Sequence, residues 1–359
     1  MASKKTINLQ DVAKRAGVSV STASRVLNTR ADLHLFSEDS IERVRRAAAE
    51  LNYRPNYNAQ ALSSGKTRVL GVTVEMRPGL NMFAIEYFAS LMGGVEMALR
   101  ESGYEARIIG SRDSETAVDR GREHFHSRRI DGLIHLSWLD PRSYERLLQD
   151  RRVPCVLVEE FPRPTSIPVL AVDYEAGLAE VVRYLSKLGH RRVLWLGPRP
   201  ETSESVARRE RAFTSAAWNN RIRGACCQFP FDKGHPQEAF IDGADAAISD
   251  HLGEDDDFTA VVCFNDATAA GAYRGIARAG RAVGKDLAVV GFDDDRGAKY
   301  LSPALTTVNP GLHKVGRRAA EILIDLVEKP DSPEGLGGYQ EMITPRLVVR
   351  GSTMESPRT

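Results

Sequence analysis

Val20, Ser21, Ser24, Arg25 and Asn28 fall on one face of a stretch that reads as a short helix, and Thr22 stands beside them. An exposed helix of an ordinary domain shows long charged side chains instead. Short hydroxyls, one small apolar group, one arginine and one amide suit a helix pushed into a groove, with its N-terminal residues on base edges and flanking amides, hydroxyls and arginine on phosphates. The alternative is an αα-hairpin packed into a larger core, and periodicity alone leaves both open. A second set of residues follows short apolar runs further along: Glu75 and Arg77, Ser137 and Trp138, Glu160 and Phe161, Asp173, Pro198, Asn265 with Asp266, and Asp293 with Asp294. Carboxylates and amides can pair with hydroxyls, and rings can cover the apolar face of a sugar, so this set suits a polyhydroxylated ligand.

Other chemistries find little support. No glycine-rich phosphate loop follows the first apolar run, and Gly335-Leu336-Gly337-Gly338 lies in a proline-flanked loop. His124 and His126 are two apart on a helical stretch and point to different sides, so no metal pair is expected. No serine or cysteine nucleophile has a supporting constellation. The expectation is a protein that is not an enzyme and calls for no cofactor and no metal.

The first set needs helices to present it. Asn8 is placed to cap a helix with Asp11 three residues on, Val12, Ala13 and Ala16 follow at helical spacing, and Gly17 permits a sharp turn. Ser19 then caps the helix whose inner face is Ala23, Val26 and Leu27. After a loop over 29–36, Ser37 caps a third helix with Ile41, Val44, Ala48 and Leu51 on one side. The second set needs a different frame. From Val69 onward, apolar runs at 69–74, 105–109, 133–136, 155–158 and 169–172 alternate with amphipathic stretches, and the plan restarts at 193–197, 225–229, 260–264 and 288–292. Continuous apolar strands separated by helices predict parallel sheets covered on both faces, with ligands beyond the carboxyl ends of the strands. Residues 306–310 read as a crossover, 314–327 as a returning helix and 346–349 as a closing strand.

Composition agrees with a small phosphate-meeting module joined to a larger body. The 359 residues are too many for one core, and the net charge of +1 is unevenly spread. Residues 1–65 carry ten Lys/Arg against six Asp/Glu, a net of +4, while the remainder carries 39 against 42, a net of −3. The opening Met-Ala-Ser-Lys-Lys-Thr has no apolar run and no later segment has the length of a membrane span, so a cytoplasmic protein is expected. Cys155, Cys226, Cys227 and Cys263 sit in or beside apolar runs, which predicts buried, reduced thiols.

Two long ordered patterns carry a resemblance. Asp11-Val12-Ala13-Lys14-Arg15-Ala16-Gly17-Val18-Ser19, Thr22-Ala23-Ser24-Arg25-Val26-Leu27-Asn28 and Leu51-Asn52-Tyr53-Arg54-Pro55-Asn56 resemble the headpiece of the lactose/galactose repressor family of bacterial transcription factors. The body resembles the same family, itself similar to periplasmic sugar-binding proteins, at Arg129-Ile130-Asp131-Gly132-Leu133-Ile134, Val172-Asp173-Tyr174-Glu175-Ala176-Gly177, Leu188-Gly189-His190, Phe264-Asn265-Asp266, Val290-Gly291-Phe292-Asp293-Asp294 and Leu305-Thr306-Thr307-Val308.

The resemblance implies a helix-turn-helix headpiece over 1–57, a hinge helix or linker over 58–66, and an effector-binding and dimerisation domain over 67–352 made of two doubly wound parallel-sheet subdomains of periplasmic-binding-protein-like type. The first subdomain would hold about 67–167 and 311–336, the second about 168–310 and 337–352, with a tail over 353–359. It implies double-stranded operator DNA, a sugar-like small-molecule effector and a second copy of the chain as partners, and no membrane. The DNA-binding residues would be Val20, Ser21, Thr22, Ser24, Arg25, Asn28, Tyr53, Asn56, Ala59 and Leu62, the last wedged into a base step of the minor groove. Arg209 would be the effector-binding arginine, Asn265 and Asp293 its polar companions, and Asp173 the acidic residue before a subdomain helix, with Arg77, Trp138, Phe161 and Phe264 completing the set. Ala212 and Pro310-Gly311 depart from the family pattern near the pocket, so effector identity does not carry over. Alternatives are a cytoplasmic sugar-binding protein or enzyme of the same architecture, and a regulator controlled by a protein partner.

Overall fold

A computed structural model describes residues 7–28, 33–54, 65–74, 85–112, 115–136, 147, 150, 152–159, 165–231, 236–254, 257–329 and 338–356. The chain divides into two compact units, Met1–Arg68 and Val69–Thr359.

In the first unit, α1 (Leu9–Ala16) begins at a reciprocal cap. The Asn8 side-chain oxygen accepts from the amides of Gln10 (2.9 Å) and Asp11 (3.1 Å), and the Asp11 carboxylate accepts from the Asn8 amide (3.0 Å). Gly17 ends the helix at φ 66°, where only glycine is unstrained, and the Val18 amide closes back on the Ala13 carbonyl. Ser19 Oγ accepts from the Thr22 amide at 3.0 Å to open α2 (Val20–Asn28), and Ser37 Oγ caps α3 (Glu38–Glu50) through the Ser40 amide. The three helices enclose Val12, Ala13, Ala16, Ala23, Val26, Val44, Ala47 and Ala48. The loop before α3 contains one helical turn, Leu33–Leu35, which the sequence does not announce.

The second unit holds two parallel sheets. The first runs in the order β11-β5-β4-β3-β1-β2, from β1 (Val69–Val74), β2 (Glu105–Gly110), β3 (Gly132–Leu136), β4 (Cys155–Glu159), β5 (Val169–Val172) and β11 (Gln340–Ile343). The second runs β7-β6-β8-β9, from β6 (Arg192–Pro198), β7 (Arg223–Phe229), β8 (Ala260–Cys263) and β9 (Ala288–Val290). A short antiparallel pair, β10 (Thr307–Asn309) and β12 (Arg346–Val348), joins them. Helices α4 (Glu86–Ser102), α5 (Ala117–His126) and α10 (Leu312–Glu328) cover the first sheet, while α6 (Tyr174–Lys187), α7 (Glu204–Asn219), α8 (Pro236–Glu254) and α9 (Asp266–Arg278) belong to the second half. One buried cluster runs from Leu70 and Val72 through Tyr174 and Phe292 to Trp195. No helix among the described residues is long and apolar enough to cross a membrane.

The expected architecture is present, with three corrections. β5 pairs with β4 and β11 pairs with β5, so residues 169–172 and 340–343 belong to the first sheet and not to the second subdomain. The chain crosses only after Val172, because the apolar run of β5 completes the first sheet before α6 begins. The supposed tail is fastened as far as residue 356. The Tyr184 hydroxyl pairs with Thr353 Oγ1 (2.8 Å), the Met354 carbonyl with His190 Nε2 (3.0 Å), and the Ser356 amide donates to the Leu188 carbonyl (2.8 Å). Among the cysteines, Cys226 is exposed, because β7 is an edge strand with one face uncovered; Cys155, Cys227 and Cys263 are buried.

Candidate nucleic-acid interface and inter-sheet site

Helix α2 turns Ala23 and Val26 inward, which leaves Val20, Ser21 and Arg25 exposed and Thr22 and Ser24 half-buried. Val20 keeps 44% of its surface in solvent, although it is β-branched and apolar, so packing does not account for it. Thr22 Oγ1 lies 2.9 Å from Ser19 Oγ and belongs to the cap. Asn28 is the last residue of α2. Tyr53 does not stand out from the unit: it is half-buried against the three-helix core, and its amide donates to the Ala48 carbonyl at 2.8 Å. Asn56, Ala59 and Leu62, and in the larger unit Arg77, Trp138 and Phe161, lie outside the described residues.

The larger unit gathers the remaining predicted residues at the carboxyl ends of its strands, where α/β sheets bind ligands. Arg209, on α7, is only 4% exposed. Its guanidinium carbon lies 3.9 Å from the centre of the Tyr174 ring, 4.6 Å from Phe264 and 5.4 Å from Phe292, and Nη1 donates to the Phe264 carbonyl at 3.4 Å. Aromatic faces attract a cation and fix its plane, so the planar fork is held in place by rings. Phe264 continues into a stack, 5.6 Å from Phe240, which lies 4.4 Å from Phe231, and Trp195 meets it edge-on.

Asp173 and Asn265 both cap helices. Asp173 Oδ1 accepts from the Ala176 amide (2.9 Å), and Asn265 Oδ1 accepts from the amide (2.8 Å) and hydroxyl (2.7 Å) of Thr268. Asp293 is held at φ 115°, its amide donating to the Val308 carbonyl at 2.9 Å. Its charge bears on Asp266, whose carboxyl is pushed well above the ordinary carboxylate range, first by burial and then by Asp293. Asp266 accepts from the Thr307 hydroxyl (2.5 Å) and the Asp295 amide (2.8 Å), which ties the start of α9 to β10.

Asp173, Arg209, Phe264, Asn265 and Asp293 therefore share one neighbourhood. Sequence reasoning missed Tyr174 and Phe292, the rings nearest and farthest from the arginine. Each stands two residues past the end of its strand, the signal that selected Asp173 and Asp293, but both look like core aromatics.

Residues 8–56 match the bacterial regulatory proteins of the lacI family, and residues 182–353 match a periplasmic binding protein-like domain. The HTH-type transcriptional regulator reg1 of Streptomyces lividans is 32% identical over 361 residues, covering 98% of both chains. The chain belongs to the lacI family. This lacI-family chain is also 28% identical to the ribose operon repressor of Escherichia coli K12 over 354 residues, covering 96% of the chain and 99% of the relative. Among solved structures, the lac repressor dimer bound to operator and the anti-inducer ONPF superposes with a TM-score of 0.77 at 25% identity, covering 98% of this chain and all of that one. The CelR–cellobiose complex gives 0.64 at 25% identity, covering 96% and 99%. As a lacI-family member the chain is a DNA-binding transcriptional regulator, with a helix-turn-helix unit followed by an effector-binding fold.

Proposed function

We propose that this lacI-family regulator is a cytoplasmic repressor and not an enzyme. It grips a pseudo-palindromic operator as a homodimer and releases or tightens that grip when a sugar or sugar derivative binds beside Arg209. The guanidinium held against Tyr174, Phe264 and Phe292 carries the effector half: a fixed fork among aromatic faces offers hydroxyl partners and a stacking surface together. Relatives that bind cellobiose or repress a ribose operon support a carbohydrate. Arg77, Trp138, Phe161, Asp173, Phe264 and Asn265 would complete the contacts.

On DNA, Val20 and Ser21 meet base edges, while Thr22, Ser24, Arg25 and Asn28 set α2 on backbone and bases. Tyr53, Asn56 and Ala59 add contacts, and Leu62 wedges the minor groove. Val20 and Ser21 lack the bidentate reach of arginine or glutamine, so direct readout there is weak and DNA deformation carries more of the discrimination. The effector changes operator affinity only through its differential affinity for two arrangements of the sheets.

Gel retardation on the DNA upstream of the protein's own gene, repeated with a panel of pentoses, hexoses, disaccharides and uronates, tests both halves. Retardation reversed or strengthened by one sugar is the expected result. Retardation no stronger than on random DNA would remove the repressor, and retardation indifferent to the whole panel would remove the sugar.

A further inference from the structure

Four consecutive residues leaving β9 hold more of the molecule together than their length suggests. Asp293 and Asp294 sit at φ 115° and 53°, a left-handed pair that non-glycine residues seldom adopt and that surrounding bonds must enforce. The Asp294 carboxylate accepts from Arg350 Nη2 at 2.5 Å and from Asn309 Nδ2 at 2.9 Å, which fixes it to β10 and to the segment after β12. The Asp295 amide is bound by Asp266. Arg296 then leaves the second half altogether: its amide donates to Glu86 Oε2 at 3.0 Å, and its Nε lies 3.4 Å from Glu86 Oε1. Glu86 is the first residue of α4, which follows β1 of the first sheet. The run is thus fastened to the crossover strands at one end and to the opposite subdomain at the other.

We propose that Glu86 and Arg296 form a latch between the two subdomains, that the Asp293–Arg296 run ties this latch to the crossover strands, and that Asp295 makes it sensitive to pH. The two contacts at Glu86 join residues of the two halves, so making or breaking them biases one arrangement of the sheets against another. Asp295 opposes the latch. Burial, then Glu86, then Asp294 push its carboxyl up to about 6. Among the described residues, the charged groups around it are Glu86 from α4, Asp266 from α9, Asp293 and Asp294 on the same run, Arg296 beside it and Arg350 on Asp294. As pH rises through about 6 its carboxyl gains charge, repels Glu86 and loosens the latch. As pH falls through the same value it takes up a proton and that repulsion fades, while the Arg296 attraction stays. This device acts with no effector and no DNA present, so it stands or falls separately from the sugar-controlled repressor.

The test is a distance between subdomains. The full chain carries Ser166→Cys and Ser215→Cys, both exposed, in a Cys226→Ser background that removes the exposed native thiol. It is spin-labelled and mixed with excess unlabelled chain, so that only distances within one chain are read by double electron–electron resonance. The expected distribution is narrow at pH 5.5 and about twofold wider at pH 7.5. Asp295→Asn should stay narrow at both values, and Glu86→Ala and Arg296→Gln should be wide at both. Either latch variant suffices if the other fails to fold. A wild-type distribution that does not change with pH overturns the role of Asp295. Identical distributions in wild type, Glu86→Ala and Arg296→Gln overturn the latch.

Discussion

Asp266 is enclosed at the start of α9, where both of its oxygens accept hydrogen bonds and a second carboxylate, Asp293, bears on it. Burial and Asp293 raise its folded value above that of the unfolded chain, so the native state binds the extra proton. Stability from this group is therefore greatest below the ordinary carboxylate value and falls as pH rises toward the folded value. Asp266→Asn keeps an acceptor for the Asp295 amide and can donate to the Thr307 hydroxyl. Denaturant unfolding at pH 5, 6.5 and 8 should show the wild type losing stability across the series and the variant losing less. Asp266→Ala strands the Asp295 amide and should cost about 1–3 kcal/mol at every pH. Arg25 makes the opposite case, a side chain that the fold does not need. It is exposed on α2, so Arg25→Ala should change stability by no more than about 0.5 kcal/mol. The same variant should weaken binding to a retarded duplex by about 1–3 kcal/mol in fluorescence anisotropy. An unchanged duplex affinity would remove Arg25 from the interface.

At the scale of elements, α4 and α10 touch backbone to backbone. A Cβ on Gly94 would come within 1.9 Å of the His313 carbonyl oxygen, and one on Gly316 within 2.0 Å of the Leu91 carbonyl oxygen. Backbone cannot rotate away as a side chain can, so Gly316→Ala must push the helices apart. It should cost about 1–3 kcal/mol, read as a lowered thermal midpoint; a midpoint equal to wild type would mean that the crossing is looser than described. Such crossings are not visible in a sequence, where Gly94 and Gly316 look like poor helix formers. Caps are visible, because Asn8, Gly17, Ser19 and Ser37 act within three or four residues of themselves. Strand identity is visible for the same reason, but sheet membership is not: β11 has the unremarkable sequence Gln-Glu-Met-Ile and is specified by its pairing with β5, about 170 residues away. The site divides in the same way. The rule that ligands meet strand ends singled out Asp173, Asn265 and Asp293, while the placing of Tyr174 and Phe292 against Arg209 depends on pairings that no apolar run announces. Cys226 was misjudged because an apolar run does not say whether its strand lies at an edge.

For the molecule as a whole, the division at Arg68 has a thermodynamic consequence. Among the described residues, the buried cluster of the first unit has eight residues, five of them alanine. So small a core leaves little surplus over conformational entropy, whereas the larger unit encloses extended clusters around two sheets. The three-helix unit should therefore melt first and by itself. The sequence supplies a probe for each part: all three tryptophans, Trp138, Trp195 and Trp218, lie beyond residue 68, while helices occur in both units. Far-ultraviolet circular dichroism should show two transitions, and tryptophan fluorescence only the second. A duplex that the first unit grips when folded should raise the first transition alone. At a hundred times the dissociation constant, mass action adds about 2.7 kcal/mol, and each kcal/mol moves a domain of this size by about 4–8 °C. One transition coincident in both probes, or a first transition indifferent to the duplex, would mean that the headpiece draws its stability from the rest of the chain and not from its own helices and the DNA.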